Sequence, residues 1–317
     1  MSNLVSKIPG LKTKWPLLVV LLLLFVLPQF IPVFYTYLLT SIIIMALAAT
    51  SLNLQLGYAG IVALGHAAFF GVGAYTVVLL TVKAGFPLPI AMIFGPLLAA
   101  LTGLFIGYFS LKRSLVYCAL LTLAFNVIVY MVASKWSSLT GGDTGTSGVL
   151  LPSFISTTTN FYYFTLILAL ICIALMWMIV NSFFGKVVQS IRENQQRAEF
   201  LGFNVKSYLL SVFVMGAFFA GFAGVLFGLF TRSVFPTYAG TTKSLELLLM
   251  CALGGTSSFV GPSIGAFIIL ILSKALSDYI QYWPIGIGIL LVVVGTYFHS
   301  GIVGIYYEIK RRLGYDS

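Results

Sequence analysis

Charge is what this 317-residue sequence has least of: Asp, Glu, Lys and Arg together make up 8% of it, against about a quarter in an ordinary soluble domain. Beside 60% apolar residues, that shortage excludes a soluble globular protein. Acid is scarcer still. The carboxylates Asp143, Glu193, Glu199, Glu246, Asp278, Glu308 and Asp316 are too scattered for a binuclear metal centre. The two histidines, His66 and His299, have no Cys, Asp or Glu at ligand or triad spacing, so an integral-membrane enzyme finds no support. Cys118, Cys172 and Cys251 lie far apart in apolar stretches and read as small buried hydrophobes. No G-x-x-x-x-G-K-[ST] sequence exists to cradle ATP, so nucleotide energy has to come from another subunit. A carrier coupled to protons or sodium would show carboxylates inside several spans, and Glu246 is nearly the only one here.

What is present is hydrophobic length. From Trp15 to Val82 there is no charged residue at all, 68 in a row, where one bilayer crossing takes about 20. Apolar runs bounded by charge, Pro or Gly-rich breaks predict spans near 16 to 35, 37 to 56, 62 to 82, 88 to 110, 115 to 134, 161 to 181 and 208 to 231. A pair interrupted at Gly254 to Pro262, about 243 to 254 and 262 to 277, and a last run at 284 to 299 bring the expectation to ten. The expected fold class is all-α: a polytopic integral membrane protein in one domain over 1–317. It comprises N-terminal helices at 15–134, a loop at 182–207 and C-terminal helices at 208–299. Lys7, Lys12 and Lys14 before the first run superficially resemble a signal peptide, but no small-residue cleavage site follows, and a retained span is expected.

The net charge of +10 would suggest nucleic acid in a soluble protein. Here the basic residues form short clusters between hydrophobic runs and act as topology signals. With both termini cytoplasmic, twelve of the seventeen fall inside: three before the first span, Lys112 and Arg113, Lys186, Arg192, Arg197 and Lys206, and Lys310 to Arg312. Lys83, Lys135, Arg232, Lys243 and Lys274 fall outside. The polar, glycine-rich stretch 135 to 160 is then external and the charged stretch 182 to 207 internal. Neither is long enough to fold alone, so soluble chemistry belongs to partner proteins.

Small residues recur every four positions at Gly95, Ala99, Gly103 and Gly107, and again at Gly216, Ala220, Gly224 and Gly228. That spacing lines one helix face and marks close helix contact. The stretches Gly57 to Gly73 and Gly254 to Pro262 mix glycine with polar residues and read as broken helices, which survive where freed backbone groups face protein or a water-filled path. They are candidates for a solute route and a weak hint of inverted repeats. Candidate path residues are Asn53, Gln55, His66 and Glu246. For Asn53, Gln55 and Asn126 the plainer reading is an interhelical hydrogen bond, and for His66 a bond to a helix carbonyl. Glu246 either faces the protein interior or pairs with Lys243 one turn earlier.

Four stretches carry a resemblance. Gly185-Lys-Val-Val-Gln-Ser-Ile-Arg-Glu-Asn-Gln-Gln-Arg-Ala-Glu-Phe-Leu-Gly202 resembles the cytoplasmic loop of ABC importer permeases of the branched-chain amino acid family. Leu52-Asn-Leu-Gln-Leu-Gly-Tyr-Ala-Gly60 with Leu64-Gly-His-Ala-Ala-Phe-Phe-Gly71, then Thr140-Gly-Gly-Asp143, then Leu253-Gly-Gly-Thr256 with Gly261-Pro-Ser-Ile-Gly265, follow the same family in order, above all its LivM type. The resemblance implies a heterodimer with a homologous second permease in the inner membrane, two ABC ATPase subunits inside and a soluble solute-binding protein outside. It implies no cofactor on this chain, ATP being used by the partners. Within the family's Glu-Ala-Ala-x-x-x-Gly loop pattern, Ala198 and Gly202 match, while Gln196 and Arg197 replace the first two positions. Ile191, Arg192, Glu193, Arg197, Ala198, Glu199 and Gly202 are the expected coupling residues, with Val187, Val188, Ile191 and Ala198 available to a partner's groove and the charges for pairing. The implied solutes are branched-chain or other neutral amino acids. Urea and short-chain amides stay open within the resemblance, and a stand-alone carrier or channel is the rival outside it.

Overall fold

The computed structural model describes residues 22–111, 115–277 and 301. Among the described residues, besides the single helical turn Ser137–Thr140, ten helices carry the fold: α1 Val33–Asn53, α2 His66–Val82, α3 Leu88–Ser110, α4 Leu115–Lys135, α5 Thr158–Asn181, α6 Phe183–Glu193, α7 Gln195–Phe200, α8 Val205–Thr231, α9 Thr241–Gly254 and α10 Gly261–Ser277. Among the described residues five segments are long and apolar enough to cross a membrane: Val33–Tyr58, Leu88–Ser110, Val116–Lys135, Thr158–Asn181 and Val205–Thr231. The shorter apolar helices His66–Val82 and Gly261–Ala275 stand between them. The chain is a helical, multi-pass membrane protein.

Several expected boundaries are corrected. The first run does not continue to residue 35: a 3-10 turn at Leu27–Gln29 contains Pro28, and α1 begins after Pro32, whose ring suits a helix start. The remainder of that run, residues 16–21, and the span expected at 284–299 lie outside the described residues, as does His299. The third span begins at His66 rather than 62, because α1 ends in a π turn, Leu54–Tyr58, and residues 59–65 are not helical. The run 243 to 254 is not a span. α9 has 14 residues, about 21 Å at the helical rise, short of the roughly 30 Å hydrocarbon core.

α8 is the central post, packed between α2 and α3. Both small-residue ladders are contact faces, but they do not meet each other. Gly95, Ala99, Gly103 and Gly107 of α3 lie against Val225, Gly221, Ala217 and Phe213 of α8, counting up one helix and down the other as antiparallel neighbours must. The α8 ladder looks elsewhere: Gly216 rests on the Gln55 side chain, Gly224 on the Phe70 carbonyl and Gly228 on Ala74, Val77 and Val78. Without side chains at these points the backbones approach closely, which is where dispersion energy is gained when lipid offers no hydrophobic drive.

The two ends of the bundle differ. At one end Thr146–Ser147 (β1) pairs antiparallel with Ser233–Val234 (β2), a small ribbon in an otherwise helical chain. Lys83 Nζ donates to the Ser138 carbonyl and Arg232 to the Ser156 carbonyl at this end. At the other end lie α6 and α7. Lys83, Lys135 and Arg232, expected outside, thus share one end with the 135–160 segment, and Lys186, Arg192, Arg197 and Lys206 gather at the other.

Candidate functional site

Side-chain caps set out the α6–α8 segment. Ser182, Asn194 and Asn204 each place an oxygen on a backbone N–H three residues later, those of Gly185, Arg197 and Ser207. Each thereby opens α6, α7 and α8 in turn. α7 closes on Gly202, where the Phe203 N–H reaches the Ala198 carbonyl and the Gly202 N–H the Glu199 carbonyl. This closure needs the left-handed backbone, and Gly202 has φ +87°. The glycine of the loop pattern is therefore required by the turn itself; no atom outside the local chain lies within 4 Å of an added methyl.

One expectation reverses here. Val187, Val188, Ile191 and Ala198 are buried against the bundle, α6 resting on Leu54, Tyr58, Val180 and Val212. Those apolar positions hold the loop to its own membrane domain and are closed to a partner. What projects outward is Phe200, 90% exposed, Leu201, 70% exposed, and the side chains of Glu193, Arg197 and Glu199. Amphipathic spacing reveals that α6 has an apolar face, but not which protein covers it.

Arg192 turns from the loop into the membrane domain, its guanidinium donating to the carbonyl of Gly57 at the end of α1. Gly60, at φ +70°, lets the chain turn beneath that side chain, 3.0 Å from where a methyl would sit. The second break meets the first at this place. Asn53 Nδ2 donates to the Ser258 carbonyl at 3.1 Å, Thr50 and Ser263 hydroxyls lie 3.2 Å apart, and the Cys251 thiol faces the Ala49 carbonyl at 3.0 Å. A methyl on Gly57 would strike the Thr256 carbonyl oxygen. Two glycine-rich interruptions, about 200 residues apart in sequence, are thus packed together under the α6 loop.

The other predicted residues separate. Asn53, Gln55 and His66 are fully buried between helices. Gln55 Nε2 donates across to the Phe213 carbonyl at 2.9 Å, the interhelical bond expected of it. His66 Nε2 lies 2.9 Å from the Ser51 hydroxyl, a side-chain partner in place of the expected helix carbonyl. Asn126 does not make the interhelical bond expected of it: it is buried with neither amide atom bonded among the described residues. Glu246 lines a cavity.

That cavity is an open groove of about 680 Å³ between α4 and the 237–246 segment, within the range of about 300–1,000 Å³ typical of small-molecule sites. Val127, Tyr130 and Met131 form one wall, about 6–12 Å from the Lys135 end of α4 at the helical rise. The groove therefore lies at membrane depth. The other wall descends from β2 through a 3-10 turn, Pro236–Ala239, into the start of α9. Ala67 N–H donates to the Ser244 hydroxyl at 2.8 Å and ties that start to α2. Lys243 Nζ and Glu246 Oε2 are 2.8 Å apart on this wall, with Lys243 also 5.5 Å from the centre of the Phe227 ring. The pairing reading of Glu246 holds and the interior one does not: it pairs with Lys243, and the pair lines the open groove. Sequence reasoning anticipated Lys243 as its partner from the i, i+3 spacing but missed Tyr130 and Tyr238, which come from separate segments of the groove.

Comparison with known proteins supplies the family. Residues 34–299 match the family described as branched-chain amino acid transport system / permease component. The high-affinity branched-chain amino acid transport system permease protein LivM of Escherichia coli is 25% identical over 291 residues, 83% of this chain and 68% of the relative. The probable branched-chain amino acid transport permease protein LivM of Methanocaldococcus jannaschii is 23% identical over 235 residues, 67% of this chain and 68% of the relative. LivH of Escherichia coli, also named as a permease protein of the high-affinity system, is 31% identical over 134 residues, 42% of this chain and 43% of the relative. No solved structure matches. With most of its helical domain inside the match, and the α6 loop and both glycine breaks within it, the chain belongs to the branched-chain amino acid transport system permease family.

Proposed function

We propose that the chain is the permease subunit of an ATP-driven importer for branched-chain or other neutral amino acids. It works in the cytoplasmic membrane beside a homologous second permease, with both termini cytoplasmic. Two ABC ATPase subunits dock on the α6–α7 end, and an external binding protein delivers solute to the ribbon end. The pairing of LivM-type and LivH-type relatives supports a two-permease assembly. The chain itself contributes a route and a lever; hydrolysis belongs to the ATPases.

The observation that carries this reading is the contact of Arg192 with the Gly57 carbonyl. A loop that merely connected spans would have no bond from its charges to the backbone of a distant helix. Here a cation at the loop end grips the backbone where α1 breaks, and that break is packed on the break between α9 and α10. Movement of α6 by a docked ATPase is passed to both interruptions without an intermediate element, so nucleotide-driven motion reaches the interface where solute crosses.

The test is uptake of labelled leucine by proteoliposomes holding both permeases and ATPases with their binding protein. Uptake that requires ATP and is competed by isoleucine but not urea is the expected result. Competition by urea alone would move the solute to the amide class. Leucine movement by this chain alone along an ion gradient would make it a carrier.

A further inference from the structure

The Lys243–Glu246 pair stands at membrane depth, where unpaired charge is expensive, and yet on an open groove wall rather than in the packed interior. Side-chain exposures of 17% and 31% leave both groups reachable from the groove. Immediately before Lys243, Thr241 and Thr242 add hydroxyls to the same wall, and Phe227, Val127 and Met131 supply apolar surface opposite and beside them. Polar groups of both signs are therefore gathered within one helical turn, next to a surface suited to an aliphatic side chain.

We infer that Lys243 and Glu246 form a charge clamp for a zwitterion: the pair opens to receive the carboxylate of an α-amino acid on Lys243 and its ammonium on Glu246. This rests on the proposed amino acid importer and names the residues that distinguish its solute. The physical basis is exchange. A neutral solute such as urea offers neither charge a partner, so separating the pair for it leaves two uncompensated charges beside the apolar groove surface. A zwitterion replaces each partner with a group of the same sign, and separation then costs little. Between passages the two side chains neutralise each other, which keeps the empty groove closed to single ions.

The complete transporter tests the clamp in proteoliposomes with labelled leucine, comparing wild type, Lys243→Met, Glu246→Gln and the double variant. The double variant is decisive because removing both charges leaves neither orphaned. A structural ion pair tolerates that change; a clamp does not. Leucine uptake in the double variant at least tenfold below wild type, with both permeases and the ATPases still co-purifying in wild-type proportion, is the expected result. Wild-type uptake in the double variant overturns the clamp while leaving the importer standing. Loss of the second permease from the purified variant also overturns it, because the groove is then a subunit contact. A wild-type complex that moves urea and not leucine overturns the clamp and the amino acid reading together.

Discussion

Arg192 and Gly65 show how much rests on single positions. Replacing Arg192 with Met removes the charged side chain that bonds the α6 loop to the α1 break, while the buried Val187, Val188 and Ile191 still hold α6 in place. Leucine uptake is expected to fall about tenfold or more, roughly 1.4 kcal/mol of lost coupling, with ATP hydrolysis continuing. Parallel measurement of uptake and phosphate release checks this; proportionate loss of both would assign Arg192 to ATPase binding instead. Gly65 has a different burden. A methyl there would strike the Thr122 carbonyl oxygen on α4, which is backbone and cannot rotate aside. Gly65→Ala is expected to destabilise by about 1–3 kcal/mol, as overpacking does, seen as a lower thermal midpoint in detergent. An unchanged midpoint would show that α4 can retreat. Neither role could be read from residue type. Arg192 reads from the sequence as a coupling residue for charge pairing with a partner, not as a donor to the Gly57 carbonyl, and Gly65 as one glycine of several, because their partners lie in distant segments.

At the scale of elements, hydropathy located most helices well. α3 was placed at 88 to 110 and is Leu88–Ser110, since Pro87 and Pro89 define its start and the basic pair at 112 its limit. The misplaced boundaries occur where apolar sequence is not helical. Residues 59–65, Ala-Gly-Ile-Val-Ala-Leu-Gly, are as hydrophobic as a span, yet the Leu64 N–H bonds to the Thr122 hydroxyl and the Ile61 N–H to the Gln55 carbonyl instead of continuing a helix. Only tertiary partners can satisfy such a segment. The four-residue ladders were readable as contact faces, but their pairing was not, because spacing gives a face and no address. Gly224→Val tests the address now assigned. The added side chain would meet the Phe70 carbonyl and force α8 from α2, whereas the α3 face of α8, through Ala217 and Gly221, is untouched. A cysteine pair across α2 and α8 is expected to lose cross-linking, with one across α3 and α8 retaining it. Equal loss at both would mean general unfolding.

Over the whole molecule, charge counting sorted the connecting segments into two groups, and the structure gathers each group at its own end. Lys83, Arg232 and the 135–160 segment meet around the ribbon; Arg192 and α6 meet the α1 break. Assigning the α6 end to the cytoplasm is directly testable. Cys118, Cys172 and Cys251 are all buried, so native thiols give little background. Leu150→Cys, at a site 91% exposed, is expected to react with an impermeant thiol reagent added outside intact cells, and Phe200→Cys, 90% exposed, only after permeabilisation. The opposite pattern would invert the protein and separate the loop from any cytoplasmic ATPase.

The return of the chain through α9 also bears on the order in which the protein is made. Synthesis runs from the N-terminus, and α1 and α2 therefore exist before the residues that complete them. The Asn53 amide waits for the Ser258 carbonyl, 205 residues later, and the Ala67 N–H for the Ser244 hydroxyl, 177 residues later. α9 is too short to insert as an independent span and carries a Lys and a Glu, so it enters a place its predecessors have prepared. Early helices must then be held together by the α3–α8 and α2–α8 contacts while donors in α1 and α2 remain open. Ribosomes that stop before α9 would release a bundle with its small-residue seams formed and its first interruption still without the second to pack on.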